Sequence, residues 1–281
     1  MKKKKTISIG KVFFNVPVAL ILIIIALLVL VPVIWMTFSA FKTEREIISW
    51  PPTFIPKTFT LENFVDVQGR INIIRYIANS VIYAGVTTAL AVVVNSMAGY
   101  AYAFYEFKGK TGTFLMTLAT MMVPFQVIMV PLFLVVYKMG MYDTYWGLII
   151  PRVAVAGSIF MMRAAFTGIP KEMAEAARID GLSEFGIFWK IMLPQVKPAV
   201  ITLVILSVNG SWNDLLWPTI AITSEKNRVL SLFIALCKGQ YVTDYGYLMA
   251  ASTCAVLPMI IVYAIFQKAF VSSITMTGIK G

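Results

Sequence analysis

Apolar positions along the chain fall into long uncharged runs divided by short polar stretches, with little of the one-sided periodicity of a soluble domain. The first run, 16–38, holds 23 residues without a charge, beyond the roughly 18 that mark a membrane-crossing helix. Runs at 76–100, 113–137 and 245–267 are also uncharged. Run 144–162 contains Arg152, and run 199–222 contains Asp214. The pattern predicts an all-α integral membrane protein with six transmembrane helices in one domain, 1–281. Interior prolines (Pro124, Pro131, Pro151, Pro218, Pro258) predict kinks rather than ends, because neighbouring helices re-satisfy the freed carbonyls.

Composition agrees: 59% of residues are hydrophobic and 13% charged, against about 25% charged in soluble domains, and mean hydropathy is +0.82. The N-terminal MKKKK followed by an apolar run looks like a signal peptide, but the run is too long and no small-residue cleavage site follows it. It reads as a retained first span. The net charge of +11 sorts by topology. Segments 1–15, 101–112, 163–198 and 268–281 carry fourteen Lys and Arg, against nine in 39–75, 138–143 and 223–244. The positive-inside rule places both termini and segment 163–198 in the cytoplasm of a multi-pass plasma-membrane protein. The charge then needs no nucleic-acid partner.

Segment 163–198 stands apart, with nine formal charges in helix-forming sequence. Pro170 suits a first helical position, Glu172 and Glu175 suit the positive helix end, and Gly181 suits a left-handed C-cap. Ser183 caps a second helix that Pro194 stops. The prediction is a cytoplasmic helical hairpin with an Ala-rich surface (Ala174, Ala176, Ala177). Such a surface fits either a docking role or a plain solvated hairpin.

Within it, Glu175-Ala176-Ala177, Gly181, Ile191 and Leu193-Pro194 occur at a spacing that resembles the "EAA loop" of ATP-binding-cassette (ABC) importer permeases. FKTEREIISWPPTFIPKTFTLENF, PLFLVVYKMGMYDTYWGLIIP, WNDLLWP and the tail QKAFVSSITMTGIKG are similar to the carbohydrate-uptake branch, in its shorter six-span subunit. The resemblance implies an importer for a sugar or oligosaccharide, with 170–181 as a coupling helix seated in a cytoplasmic ATPase. Glu175 would meet a basic residue there, and Gly181 would make the turn. It implies a second permease subunit, two ATP-binding subunits, and an extracytoplasmic solute-binding protein touching 39–75 and 223–244. ATP and Mg would be bound by the ATPase partner, with no cofactor in this chain. The tail, ending Gly278–Gly281, would reach the ATPase interface. A polyol or glycerol phosphate cargo, or a secondary transporter, are the alternatives.

Polar residues inside the runs are the remaining candidates. Asn209 and Asn213, four apart on one helical face, with Trp212, Asp214 and Trp217, fit either sugar contact or helix packing with Trp217 as an interface anchor. Gln126, expected near the middle of its span, fits a path-lining residue or an interhelical bond. Arg152 and Asp214 each lie about 12 Å deep by helical rise on antiparallel neighbours, and an ion pair between them is the expectation. Otherwise Asp214 lines the path and Arg152 snorkels outward.

Enzymatic chemistry is poorly supplied. The chain has no His, the spans have one Asp and no Lys, and no nucleophile–base pair assembles at membrane depth. Cys237 and Cys254 have no metal-type spacing, Cys254 reads as a small hydrophobe, and no metal site is expected. No GxxxxGK[ST] loop is present, so ATP hydrolysis falls to a partner.

Overall fold

The computed structural model describes residues 9–70, 72–237 and 244–277, with the backbone alone for 9–16, 266 and 268–277. Part of segment 223–244, expected on the outer side, and the terminal Gly278–Gly281 lie outside the described residues. Every regular element among those described is helical.

The chain divides into two compact units. The first holds α1 (Ile9–Ser39), α2 (Glu44–Ile47), α3 (Glu62–Arg70) and the first turns of the last helix. The segment after α1 is folded by its own polar groups. The Glu46 carboxylate accepts from Thr53 Oγ1 and Lys57 N, both at 2.8 Å. Lys42 Nζ donates to Thr53 O. Asn63 Nδ2 donates to the carbonyls of Ala40 and Lys42, each at 2.8 Å. Phe41 stacks on Phe59 and tilts against Phe64.

The second unit is built on α4 (Ile73–Phe104). Asn72 starts this helix by accepting from Arg75 N at 3.0 Å, and no proline or glycine pair interrupts its 32 residues. Its buried face is small and polar: Asn79, Ser80, Tyr83, Thr87, Thr88, Ala91, Asn95, Ser96 and Gly99. Its exposed face carries Ile74, Val81, Ile82 and Val94. That inversion suits a helix in lipid, where close packing and interhelical hydrogen bonds replace the hydrophobic drive.

Around α4 follow α5 (Lys110–Ala119), α6 (Phe125–Lys138), α7 (Tyr145–Val153), α8 (Ala156–Thr167), α9 (Glu172–Ile179), α10 (Glu184–Gly186), a π-helical stretch (Ile187–Met192), α11 (Leu193–Gln195), α12 (Lys197–Trp212), α13 (Leu216–Ala221) and α14 (Leu230–Leu236). The last helix, α15 (Tyr245–Thr277), ends the described chain. α7, α8, α12 and α14 all pack on α4. Gly99 lets α8 approach closely: a Cβ there would lie 2.6 Å from Met162 Cβ and 2.7 Å from Arg163 N.

By length and composition, Pro17–Ser39, Ile73–Phe104 and Tyr245–Ile265 can each cross a membrane as single helices. The other three expected spans are not straight. Run 113–137 bends by 108° between α5 with its trailing 3-10 turn and α6, where Pro124 leaves α6 without a preceding donor. Run 144–162 bends by 45° at Ala154 and Val155, and run 199–222 stops at Trp212 and restarts at Leu216. Pro194 does not end the hairpin's second arm. It sits inside α11, and an 86° bend follows at Val196 before α12. Pro170 falls just outside α9, whose N-cap is Lys171.

Candidate functional site

The hairpin forms as the local sequence dictates. α9 closes on a Schellman motif: Leu182 N bonds Ala177 O and Gly181 N bonds Arg178 O, each at 3.1 Å, with Gly181 at φ +82°. Ser183 Oγ then accepts from Gly186 N at 3.2 Å and caps the second arm. The π-helical stretch leads into Pro194, whose missing N–H makes the local ladder irregular.

The seven motif residues divide between two faces. Glu175 and Ala176 are exposed, as are Gly181 and Pro194. Ala177 is buried at 6%, and Ala174 at 3%. They join a core with Tyr100 of α4, Met162 and Phe166 of α8, Ile187, Phe188 and Met192, and Leu203 of α12. Ile191 and Leu193 pack against the same core. The expected Ala-rich docking surface is therefore corrected: Ala174 and Ala177 hold the hairpin to the helices beneath, and Ala177, Ile191 and Leu193 are not a free surface. Large apolar groups are exposed instead, Ile179 of α9 at 87% and Phe185 of α10 at 66%. Sequence reasoning missed Ile179 and Phe185. Their flanking of the Gly181 turn was the available signal.

The structure brings Arg152 and Asp214 together. Arg152 Nε and Nη2 donate to the same oxygen, Asp214 Oδ2, at 2.8 and 2.6 Å. Tyr83 Oη donates to that oxygen at 2.9 Å. The break between α12 and α13 lets Asp214 reach this position, and Arg152 also lies over the Phe125 ring, 4.1 Å from its centroid. Arg152 lines a cleft of about 520 Å³ with Ser158, Ser207 and Ser211. Asn95, fully buried on α4, spans the α7–α8 break: Nδ2 donates to Val153 O at 2.8 Å, and Oδ1 accepts from Val155 N at 2.9 Å.

The remaining candidates fall elsewhere. Gln126 is exposed in the first turn of α6, at the 108° bend rather than mid-span. Asn213 Nδ2 donates to Asn209 O and Oδ1, both at 3.0 Å. With the buried Trp212, the two asparagines line a second pocket against α14 and α15. Trp217 is fully buried and donates Nε1 to Gly147 O at 3.0 Å, so it is a packing residue and not an interface anchor. Cys237 and Cys254 are free, and no metal-holding cluster occurs among the described residues.

Residues 91–276 match the family described as binding-protein-dependent transport system inner membrane component. The arabinooligosaccharides transport system permease protein of Halalkalibacterium halodurans is 35% identical over 260 residues, 92% of this chain and 93% of the relative. The lactose transport system permease protein of Rhizobium radiobacter is 31% identical, covering 89% and 91%. The diacetylchitobiose uptake system permease protein of Streptomyces coelicolor is 32% identical, covering 91% and 85%. The fold is similar to a chain in the crystal structure of a bacterial ABC transporter involved in the import of the acidic polysaccharide alginate. Its TM-score is 0.79 at 23% identity, over 94% of this chain and 99% of that one.

Proposed function

The chain belongs to the family of binding-protein-dependent transport system inner membrane components, and from that premise we propose that it is the permease subunit of an ATP-driven importer for a sugar or oligosaccharide. The observation that carries the cargo class is that relatives matched along about nine tenths of this chain are named for arabinooligosaccharides, lactose and diacetylchitobiose. In this reading the chain crosses the plasma membrane six times, with bent helix pairs making some of the crossings. Both termini and the hairpin 163–198 are cytoplasmic.

The hairpin is the seat of a separate ATPase. Glu175, Ala176 and the Gly181 turn, flanked by Ile179 and Phe185, make a small acidic and apolar knob suited to a cleft with a basic rim. The core beneath supports the coupling role. Because Ala174 and Ala177 share packing with α4, α8 and α12, and close-packed interiors shift as units rather than deform, a push on α9 moves those helices together. Alternating access by rigid-body rocking follows from such a coupling. A second permease subunit, two ATP-binding subunits and an extracytoplasmic solute-binding protein complete the assembly. The Arg152 cleft and the Asn209–Asn213 pocket are this chain's share of the path.

The test is purification of the tagged chain from its native membrane, with mass spectrometry of its companions and of bound solute. A second permease, an ATPase and a solute-binding protein carrying a saccharide are expected. A chain that purifies alone and transports on an ion gradient would overturn the proposal.

A further inference from the structure

Three segments meet at the root of the hairpin through one carboxylate. Glu184, first residue of α10, accepts from Arg178 Nε at 2.6 Å and from Arg178 Nη2 at 3.1 Å. Arg178 lies in the last turn of α9. The same carboxylate accepts from Tyr105 Oη at 2.5 Å, and Tyr105 is the C-cap of α4. Beneath this chain of bonds, Tyr100 packs against Phe104, Tyr105, Phe166 and Phe188, with centroids 5.0 to 5.6 Å apart. A narrow apolar cleft opens beside it between Met97, Phe185 and Phe188.

This polar bridge is in the wrong place to be only a fold device. The hairpin's two arms are already joined by the Schellman turn and by the Ala177 contacts, and α4 is already fixed by α7, α8 and α12. What Glu184 adds is a directional tie between the outward arm of the hairpin and the end of the helix on which the membrane unit is built. Exposed ion pairs contribute little stability, but a bidentate Arg–carboxylate pair fixes geometry.

We propose that Arg178, Glu184 and Tyr105 form a latch that carries displacement of the coupling helix into α4, with Glu184 as its positioning residue. The inference rests on the ATPase-docking reading of the hairpin. None of the three side chains is required to touch the ATPase. The latch acts on how far a movement propagates, not on whether the ATPase binds.

The Arg178 guanidinium and then the Tyr105 hydroxyl hold the Glu184 carboxyl below its usual range, so the tie is ionic at cytoplasmic pH. Tyr105 is shifted upward by its own burial and by its bond to Glu184, and stays a neutral donor.

The experiment uses the intact complex with its ATPase and binding protein in lipid nanodiscs. It reads two quantities: ATPase retained on purification, and the factor by which the binding protein stimulates ATP turnover. Tyr105→Phe keeps the aromatic packing and removes one bond, and Glu184→Gln keeps a donor–acceptor group of the same shape without the charge. Both are expected to retain the ATPase at wild-type stoichiometry and to lose about fivefold or more of the stimulation, the scale of an allosteric coupling. The double exchange Arg178→Glu with Glu184→Arg is expected to recover part of it and not all, because Tyr105 then faces a cation. Unchanged stimulation in both single variants overturns the latch, and so does loss of the ATPase from them, which would make these residues part of the docking face. Failure of the docking reading shows separately, as an ATPase that stays bound and stimulated in Glu175→Lys.

Discussion

Arg152 and Asp214 meet through one oxygen: two guanidinium nitrogens and the Tyr83 hydroxyl all converge on Asp214 Oδ2. Asp214 has 4% of its side chain exposed and Arg152 has 29%. Removing one partner of such a pair leaves a largely buried charge uncompensated. Asp214→Ala is expected to cost about 3 kcal/mol, measured by unfolding of the detergent-solubilised protein. The exchange Arg152→Asp with Asp214→Arg should recover part of the loss. Full recovery is not expected, because Tyr83 then faces a cation. No loss in Asp214→Ala would contradict the pairing.

Asn95 closes the backbone where α7 breaks from α8. Asn95→Leu strands the Val153 carbonyl and the Val155 N–H, and each orphaned group costs about 1–3 kcal/mol. Asn95→Asp retains the acceptor for Val155 N but turns a carboxylate oxygen toward the Ala91 and Val153 carbonyls, and should lose at least as much. Hydrogen exchange at 153–156 is the local readout, with faster exchange expected in the leucine variant.

Gly99 sets the distance between α4 and α8. A Cβ would meet backbone as well as side chain there, so no rotamer change relieves the clash. Gly99→Val is expected to destabilise by about 1–3 kcal/mol, the usual cost of overpacking. Gly85, with nothing within 4 Å of an added Cβ, is the control on the same helix, and Gly85→Ala should leave the melting temperature unchanged or raise it.

Acid should loosen the hairpin. The Glu184 carboxyl is held below its ordinary value of 4.5, so its contribution is complete above that pH and is lost as pH falls through the lowered native value. Hydrogen exchange over 178–184, corrected for intrinsic rates, is expected to stay level above about pH 5.5 and to rise as pH falls below 4.5. Glu184→Gln should abolish that dependence, and an equal dependence in the variant would assign it to another group.

The membrane class, the three single helices long and apolar enough to cross a membrane (Pro17–Ser39, Ile73–Phe104, Tyr245–Ile265) and the Gly181 turn were legible because uncharged length and a glycine at a helix end each have one physical reading. The bends were not. Pro131 lies inside α6 without ending it, and the α12–α13 break contains no proline, only Asn213, Asp214 and Leu215. That break answers to a tertiary partner, Arg152, which no local pattern contains. The spacing of Glu175, Ala176 and Ala177 likewise marks the hairpin but not its phase. Only the packing of Tyr100, Phe166 and Phe188 decides that Ala177 turns inward and Ile179 outward.

The central claim is that this chain moves a sugar across the membrane on the power of an ATPase seated on its hairpin. It is tested most directly by uptake of arabino-oligosaccharide, lactose and diacetylchitobiose into proteoliposomes holding the purified complex, its binding protein and internal ATP, with wild type and Glu175→Lys in parallel. ATP-dependent uptake of at least one saccharide by wild type, lost in Glu175→Lys while the protein remains folded and inserted, is the predicted result. Uptake that persists without ATP, or that Glu175→Lys leaves at the wild-type rate, would contradict it.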